Sequence, residues 1–146
     1  MVSCSHYTAE PEHLIFETKF WRVSLAYDQS YLGRGVVDLK RHAASLSELS
    51  PAEWTDFTVV VKRLEGAVRR AFGARMFNWT CMMNDAYKEA APEPHVHWHC
   101  RPRYDTPVEM DGVRFLDAAF GHHYDRSLRQ EVPRDVRRKI IERLNS

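Results

Sequence analysis

One run of nine residues, His95-Val96-His97-Trp98-His99-Cys100-Arg101-Pro102-Arg103, constrains this chain more than any other segment. Side chains at i, i+2 and i+4 of a β-strand share one face. The alternation therefore predicts a strand with His95, His97 and His99 on one side and Val96, Trp98 and Cys100 filling the other. Neutral imidazole presents one N–H donor and one lone-pair nitrogen, and its unperturbed pKa lies nearest physiological pH. Three imidazoles on one face suggest a nucleophile flanked by groups that orient it and pass protons. Two plainer readings compete: strand-borne histidines acting as metal ligands, and a chance run on an exposed strand.

The chain's 146 residues fit one domain, 1–146, large enough to bury a core without staples. Lys plus Arg (21) nearly balances Asp plus Glu (20), so the overall field gives no reason to expect a nucleic-acid partner. The cysteines Cys4, Cys81 and Cys100 are odd in number and form no CxxC pair, which fits free thiols in a reducing compartment. Cys100 alternates with the histidines and reads as a small packing residue. No signal-peptide pattern is present, and no apolar run approaches the roughly 18 residues that span a bilayer. A cytoplasmic protein without a membrane partner is expected.

The sharpest local signal is Ser50-Pro51-Ala52-Glu53. Serine as N-cap, proline at the first helical position and glutamate at the third form a capping box worth about 1 kcal/mol. Trp54, Phe57, Val60, Val61, Leu64, Val68 and Phe72 then recur at three- and four-residue steps, until Gly73 stops them. The spacing predicts a helix over 51–72, roughly 33 Å long, able to cover one face of a sheet. Residues 14–19 and 20–25 read as a hairpin, 33–39 as a strand entered through glycines, and 74–84 as β-rich. Pro92 and Pro94 bar regular structure in the loop 85–94. The strands flanking that loop are expected to pair antiparallel, bringing Asn84 near the histidines. Residues 133–144 read as a short basic amphipathic helix, while 105–130 show no clear period. His6, His13 and His42 read as structural or surface residues, and Met76, Met82 and Met83 as core packing. His122 and His123 read as loop residues; a sharper alternative has their loop reaching an active site and tuning its specificity.

These residues resemble the histidine-triad (HIT) superfamily of nucleotidyl hydrolases and transferases. Its signature, His-φ-His-φ-His-φ-φ with φ apolar, is met by residues 95–101 except for Arg101 at the last place. Asn84, eleven residues before His95, stands where the family often carries Asn or Gln. Residues 33–42 resemble the family's Gly-His-φ-φ-φ-φ-Pro-Lys-x-His segment, with Arg34 for its histidine and Leu39 for its proline. The resemblance covers about residues 10–104, leaving 105–146 as a C-terminal extension. It implies an α+β fold, an antiparallel sheet with a long packed helix and a shorter C-terminal helix, usually paired as a homodimer.

By position, the resemblance implies that His97 attacks an α-phosphorus to give a nucleotidyl-histidine, which water hydrolyses. It implies that the His95 carbonyl holds the other nitrogen of His97, and that His99 stabilises the phosphate and leaving-group region. Asn84 would contact the phosphate, Arg34 could do so directly, and Asp28 could accept the ribose hydroxyls. No metal or other cofactor is implied. The expected substrates are dinucleoside polyphosphates, nucleoside phosphoramidates or related conjugates. Ala90-Ala91 stands where many members carry Gly-Gln or Gly-Ser. That difference and Arg34 motivate the alternative of a nucleotide-binding module with little turnover.

Overall fold

A computed structural model describes residues 10–146; Cys4 and His6 lie outside them. The fold is α+β. Strands β1 (Leu14–Glu17), β2 (Trp21–Leu25), β3 (Gly35–Leu39), β4 (Met76–Thr80) and β5 (His97–Arg103) form one antiparallel sheet in the order β1-β2-β3-β5-β4. The long helix α1 (Pro51–Phe72) joins β3 to β4, and a short helix α2 (Arg134–Leu144) ends the chain. No helix among the described residues is long and apolar enough to cross a membrane.

Helix α1 has the bounds its sequence predicts, and its ends show why. The Ser50 hydroxyl accepts from the Glu53 amide at 3.1 Å, and the Glu53 carboxylate accepts from the Ser50 amide at 2.8 Å. Gly73 takes a left-handed φ of 77° and its amide donates to Arg69, the C-cap geometry that glycine supplies most readily. Arg41 donates twice to the Glu53 carboxylate, at 2.7 and 2.8 Å, so the cap also ties the end of β3 to the helix. These bonds hold the Glu53 carboxyl at about 2.

Val60, Leu64, Ala67, Val68 and Phe72 on α1 are buried in one core with Val37, Val96 and Cys100. Trp98 stacks on Phe57, ring centroids 5.0 Å apart. The apolar half of the histidine strand thus meets the helix stripe, and the opposite parity of β5 is left for other work.

The C-terminal extension covers part of that other face. Asp111 and Gly112, at φ 52° and 78°, turn a hairpin of β6 (Val108–Met110) and β7 (Val113–Phe115). An Asp-Gly pair flanked by alternating residues is a strong hairpin signal, and it was available in a segment whose period is otherwise unreadable. Beyond β7 the chain crosses Arg103. This fully buried guanidinium donates to both Asp117 oxygens at 2.6 and 3.0 Å, to Asn78 at 3.0 Å, and to the carbonyls of Ala119 and His122 at 3.0 and 2.7 Å. The Gln29 amide then donates to the Gln130 carbonyl at 2.8 Å. Residues 117–130 are thereby held against the sheet and the β2–β3 loop.

Candidate active site

Histidines 97 and 99 stand on the sheet face turned away from α1, and their rings meet edge-on with centroids 5.2 Å apart. His95 differs from the expectation of three histidines along one strand. The strand begins at His97, and the His95 ring is buried and donates through Nε2 to the Leu39 carbonyl at 2.8 Å. It also stacks on the ring of His42 at 5.3 Å. What His95 brings to the site is its backbone: its carbonyl accepts a hydrogen bond from His97 Nδ1 at 2.8 Å. A carbonyl can only accept, so Nδ1 carries the proton and the neutral His97 ring holds its lone pair on Nε2.

His99 is set the other way round. Arg34 Nη2 lies 3.3 Å from His99 Nδ1, and a guanidinium can only donate. His99 Nδ1 therefore accepts, and Nε2 bears the hydrogen. Burial, then the positive charge of Arg34, coupling to the His97 imidazole and the charges of Arg101 and Arg126, lowers the His99 pKa to about 3. The ring stays neutral at physiological pH and serves as a fixed N–H donor. The two histidines thus hold opposite tautomers, one with a lone pair and one with a donor at the same ring position.

A cleft of about 180 Å³ collects His97, His99, Asn84, Arg34 and Asp28 in one wall system. Arg34 is placed by the β2–β3 loop. Gln29 is buried and knits that loop, donating to the Ala26 and Arg34 carbonyls and accepting from the Gly33 amide. Gly33 has φ 84°, and a Cβ there would press on Val68 at 3.3 Å, so glycine alone fits beside the helix. Arg34 Nη1 donates to Asp28 Oδ2 at 3.1 Å. Asp28 Oδ1 accepts from the Ser30 and Gln130 amides, both at 3.0 Å, so this carboxylate also staples the extension to the loop. Asn84 opens a short 3-10 turn and is exposed at the cleft mouth.

Other lining residues were not singled out from sequence. Thr80, at the end of β4, and Arg101, on β5, lie in the cleft wall, and Tyr124, Asp125, Arg126 and Arg129 close it from the extension. Arg101 was legible: it shares the parity of His97 and His99 on β5. Met82 lines the cleft and is exposed rather than packed in the core. His122 and His123 are themselves exposed; their loop reaches the site through the residues that follow it.

Asp38 stands across from His97 on β3 and shares its face. Its carboxyl is raised to about 7 by burial, an effect partly offset by Arg22 across on β2. An unfolded aspartate titrates near 3.9, so between about pH 4 and 7 the unfolded chain sheds a proton that the folded chain keeps. Stability is therefore expected to fall as pH rises through that window, by roughly 2–4 kcal/mol from this residue. Chemical denaturation of Asp38→Asn beside the wild type should show an advantage for the variant that grows from pH 4 to pH 8. Parallel pH profiles would place the Asp38 carboxyl in water.

The sequence model of the HIT domain matches residues 9–106 of this chain. The chain belongs to the HIT family. No curated protein matches this HIT protein in sequence. Among solved structures it is similar to the Caenorhabditis elegans NitFhit protein, with TM-score 0.63 and 16% identity over 96% of this chain; it spans 28% of that longer chain. A Zn-bound histidine triad family protein from Mycobacterium smegmatis has TM-score 0.60 and 19% identity, covering 93% of this chain and 88% of that one. Plasmodium falciparum diadenosine triphosphate hydrolase has TM-score 0.58 and 14% identity, covering 72% and 70%. At such identities the likeness is one of fold. Among the described residues of this HIT protein, no group of three or more His, Cys, Asp or Glu side chains is placed to hold a metal ion.

Proposed function

We propose that this HIT protein is a nucleotidyl hydrolase or transferase that cleaves at the α-phosphate through a covalent intermediate on His97. The observation that carries the reading is the 2.8 Å bond from His97 Nδ1 to the His95 carbonyl. It sets the tautomer in which Nε2 is the nucleophilic atom of a cleft residue. In the reaction, Nε2 forms a bond to the α-phosphorus while the bond from phosphorus to the bridging oxygen or nitrogen breaks, and the leaving group departs with that electron pair. Water then displaces His97, releasing the nucleoside monophosphate. Splitting one displacement into two lowers each barrier.

The remaining residues serve the charge that develops on phosphorus and its oxygens. His99 donates through Nε2–H without competing for a proton, since it stays neutral. Arg34 fixes the His99 ring and adds a permanent positive charge beside it. In this reading Asn84 contacts the phosphate and Asp28 the ribose.

Incubation with adenosine and guanosine phosphoramidates and dinucleoside polyphosphates, followed by chromatography, tests the reading. It predicts a nucleoside monophosphate product and, after alkaline quenching, a nucleotidyl adduct at His97 in peptide mass spectra. Saturable nucleotide binding with neither product nor adduct would instead identify a binding module. Absence of binding and products together would overturn the nucleotide reading.

A further inference from the structure

Among the described residues, a guanidinium lies buried in the cleft with no carboxylate at ion-pair distance. Arg101 is 6% exposed. Among the described residues, Arg34 has Asp28, Arg41 has Glu53 and Arg103 has Asp117 as carboxylate partners, but no carboxylate lies within ion-pair distance of Arg101. Its contacts are a long bond to the Thr80 hydroxyl, 3.4 Å, and the face of Tyr124, 4.0 Å from its Cζ. Burying a charge without a counter-charge is costly, and the cost is tolerated where a ligand supplies the missing anion.

The carboxylates in the cleft are engaged elsewhere. Asp28 holds Arg34, Asp85 pairs with Lys88 at 2.8 Å, and Asp125 accepts from the amide and hydroxyl of Ser127. Arg126, contributed by the extension, lines the same cleft and likewise has no carboxylate at ion-pair distance among the described residues. It is near enough to Arg101 for their like charges to oppose each other. Burial first, then Arg34 and Arg126, lowers the Arg101 pKa to about 10, which leaves it charged at neutral pH. Arg101 is two residues beyond His99 on β5, about 6.6 Å further along one face.

We propose that Arg101 and Arg126 form a second anion subsite, beyond His99, that receives a phosphate of the leaving group. The site would then prefer nucleotidyl substrates whose leaving group is phosphorylated over those that release an uncharged amine. This deepens the nucleotidyl-transfer reading and rests on it for the identity of the first site. Because Arg126 comes from the extension, the preference would be a property of this chain's C-terminal segment as well as of its histidine strand.

Titration calorimetry with AMP and with inorganic pyrophosphate, on the wild type, Arg101→Gln and Arg126→Ala, separates the two ideas. Pyrophosphate should bind the wild type, and each variant should lose at least about tenfold more affinity for pyrophosphate than for AMP, as expected for one charge-assisted contact. The ratio of kcat/KM for a dinucleoside polyphosphate over an adenosine phosphoramidate should fall by a similar factor. Arg101→Gln should melt no lower than the wild type without ligand, because it removes an unmatched buried charge. If that variant does not fold, the exposed Arg126→Ala carries the same test. No pyrophosphate binding to the wild type, or equal pyrophosphate affinity in wild type and folded variants, would overturn the subsite. Arginine-dependent pyrophosphate binding without any AMP binding would keep the subsite and overturn the nucleotidyl reading.

Discussion

Replacing His97 with alanine is expected to reduce turnover of the best panel substrate at least about a thousandfold, roughly 4 kcal/mol of barrier, while nucleotide affinity stays within about tenfold. The separation follows from where the imidazole acts. Its Nδ1 is occupied by the His95 carbonyl, so in the proposed reaction the ring contributes its Nε2 lone pair, which matters only as the bond to phosphorus forms. In the proposed reading the ground-state contacts come from neighbours: the His99 N–H, the Arg34 charge and Asn84, which line the same cleft. Steady-state kinetics beside calorimetry on the same preparation checks both halves. Wild-type turnover in the variant would rule out the covalent route. A large loss of affinity with unchanged kcat would make His97 a binding residue instead.

The second large effect concerns the wall of the cleft. Asp117→Asn is expected to cost about 3–5 kcal/mol in chemical denaturation, because it strips the full counter-charge from a guanidinium with no access to water. Replacing Arg103 and Asp117 together by leucine should cost less than Asp117→Asn alone, since no buried charge is then left unmatched. The effect should reach the site. Arg103 also holds the carbonyls of Ala119 and His122, just before Tyr124, Asp125 and Arg126 enter the cleft. The Asp117→Asn protein should therefore digest preferentially within 117–131 under limited proteolysis. A cost below about 1 kcal/mol, with no new cleavage there, would mean that the extension is held by its other contacts, such as the Asp125 amide donating to Tyr31 at 2.7 Å.

The amino-acid sequence determined what depends on neighbours along the chain. The capping box of Ser50 and Glu53 and the stop at Gly73 delimit α1 because their hydrogen bonds close within one helical turn. The alternation on β5 determined which side chains meet the helix and which stand on the other face, since parity along a strand is a local property. The same parity contained the position of Arg101, and Asp111-Gly112 carried the signal of the β6–β7 hairpin, although neither was singled out from the sequence. The tertiary structure decided the rest. His95 carries a triad position in the sequence, yet its ring turns to Leu39 and only its carbonyl serves His97, because β5 begins one pair later. Besides Asp28, Arg34 proved to reach His99, a residue 65 positions away, and spacing contains no information about which histidine a distant loop will approach. Residues 117–130 have no period because they are held by single long-range contacts, the Arg103–Asp117 pair and the Gln29–Gln130 bond. Whether an arginine in such a chain meets a carboxylate depends on which loops converge, and that is settled only when the sheet brings them together.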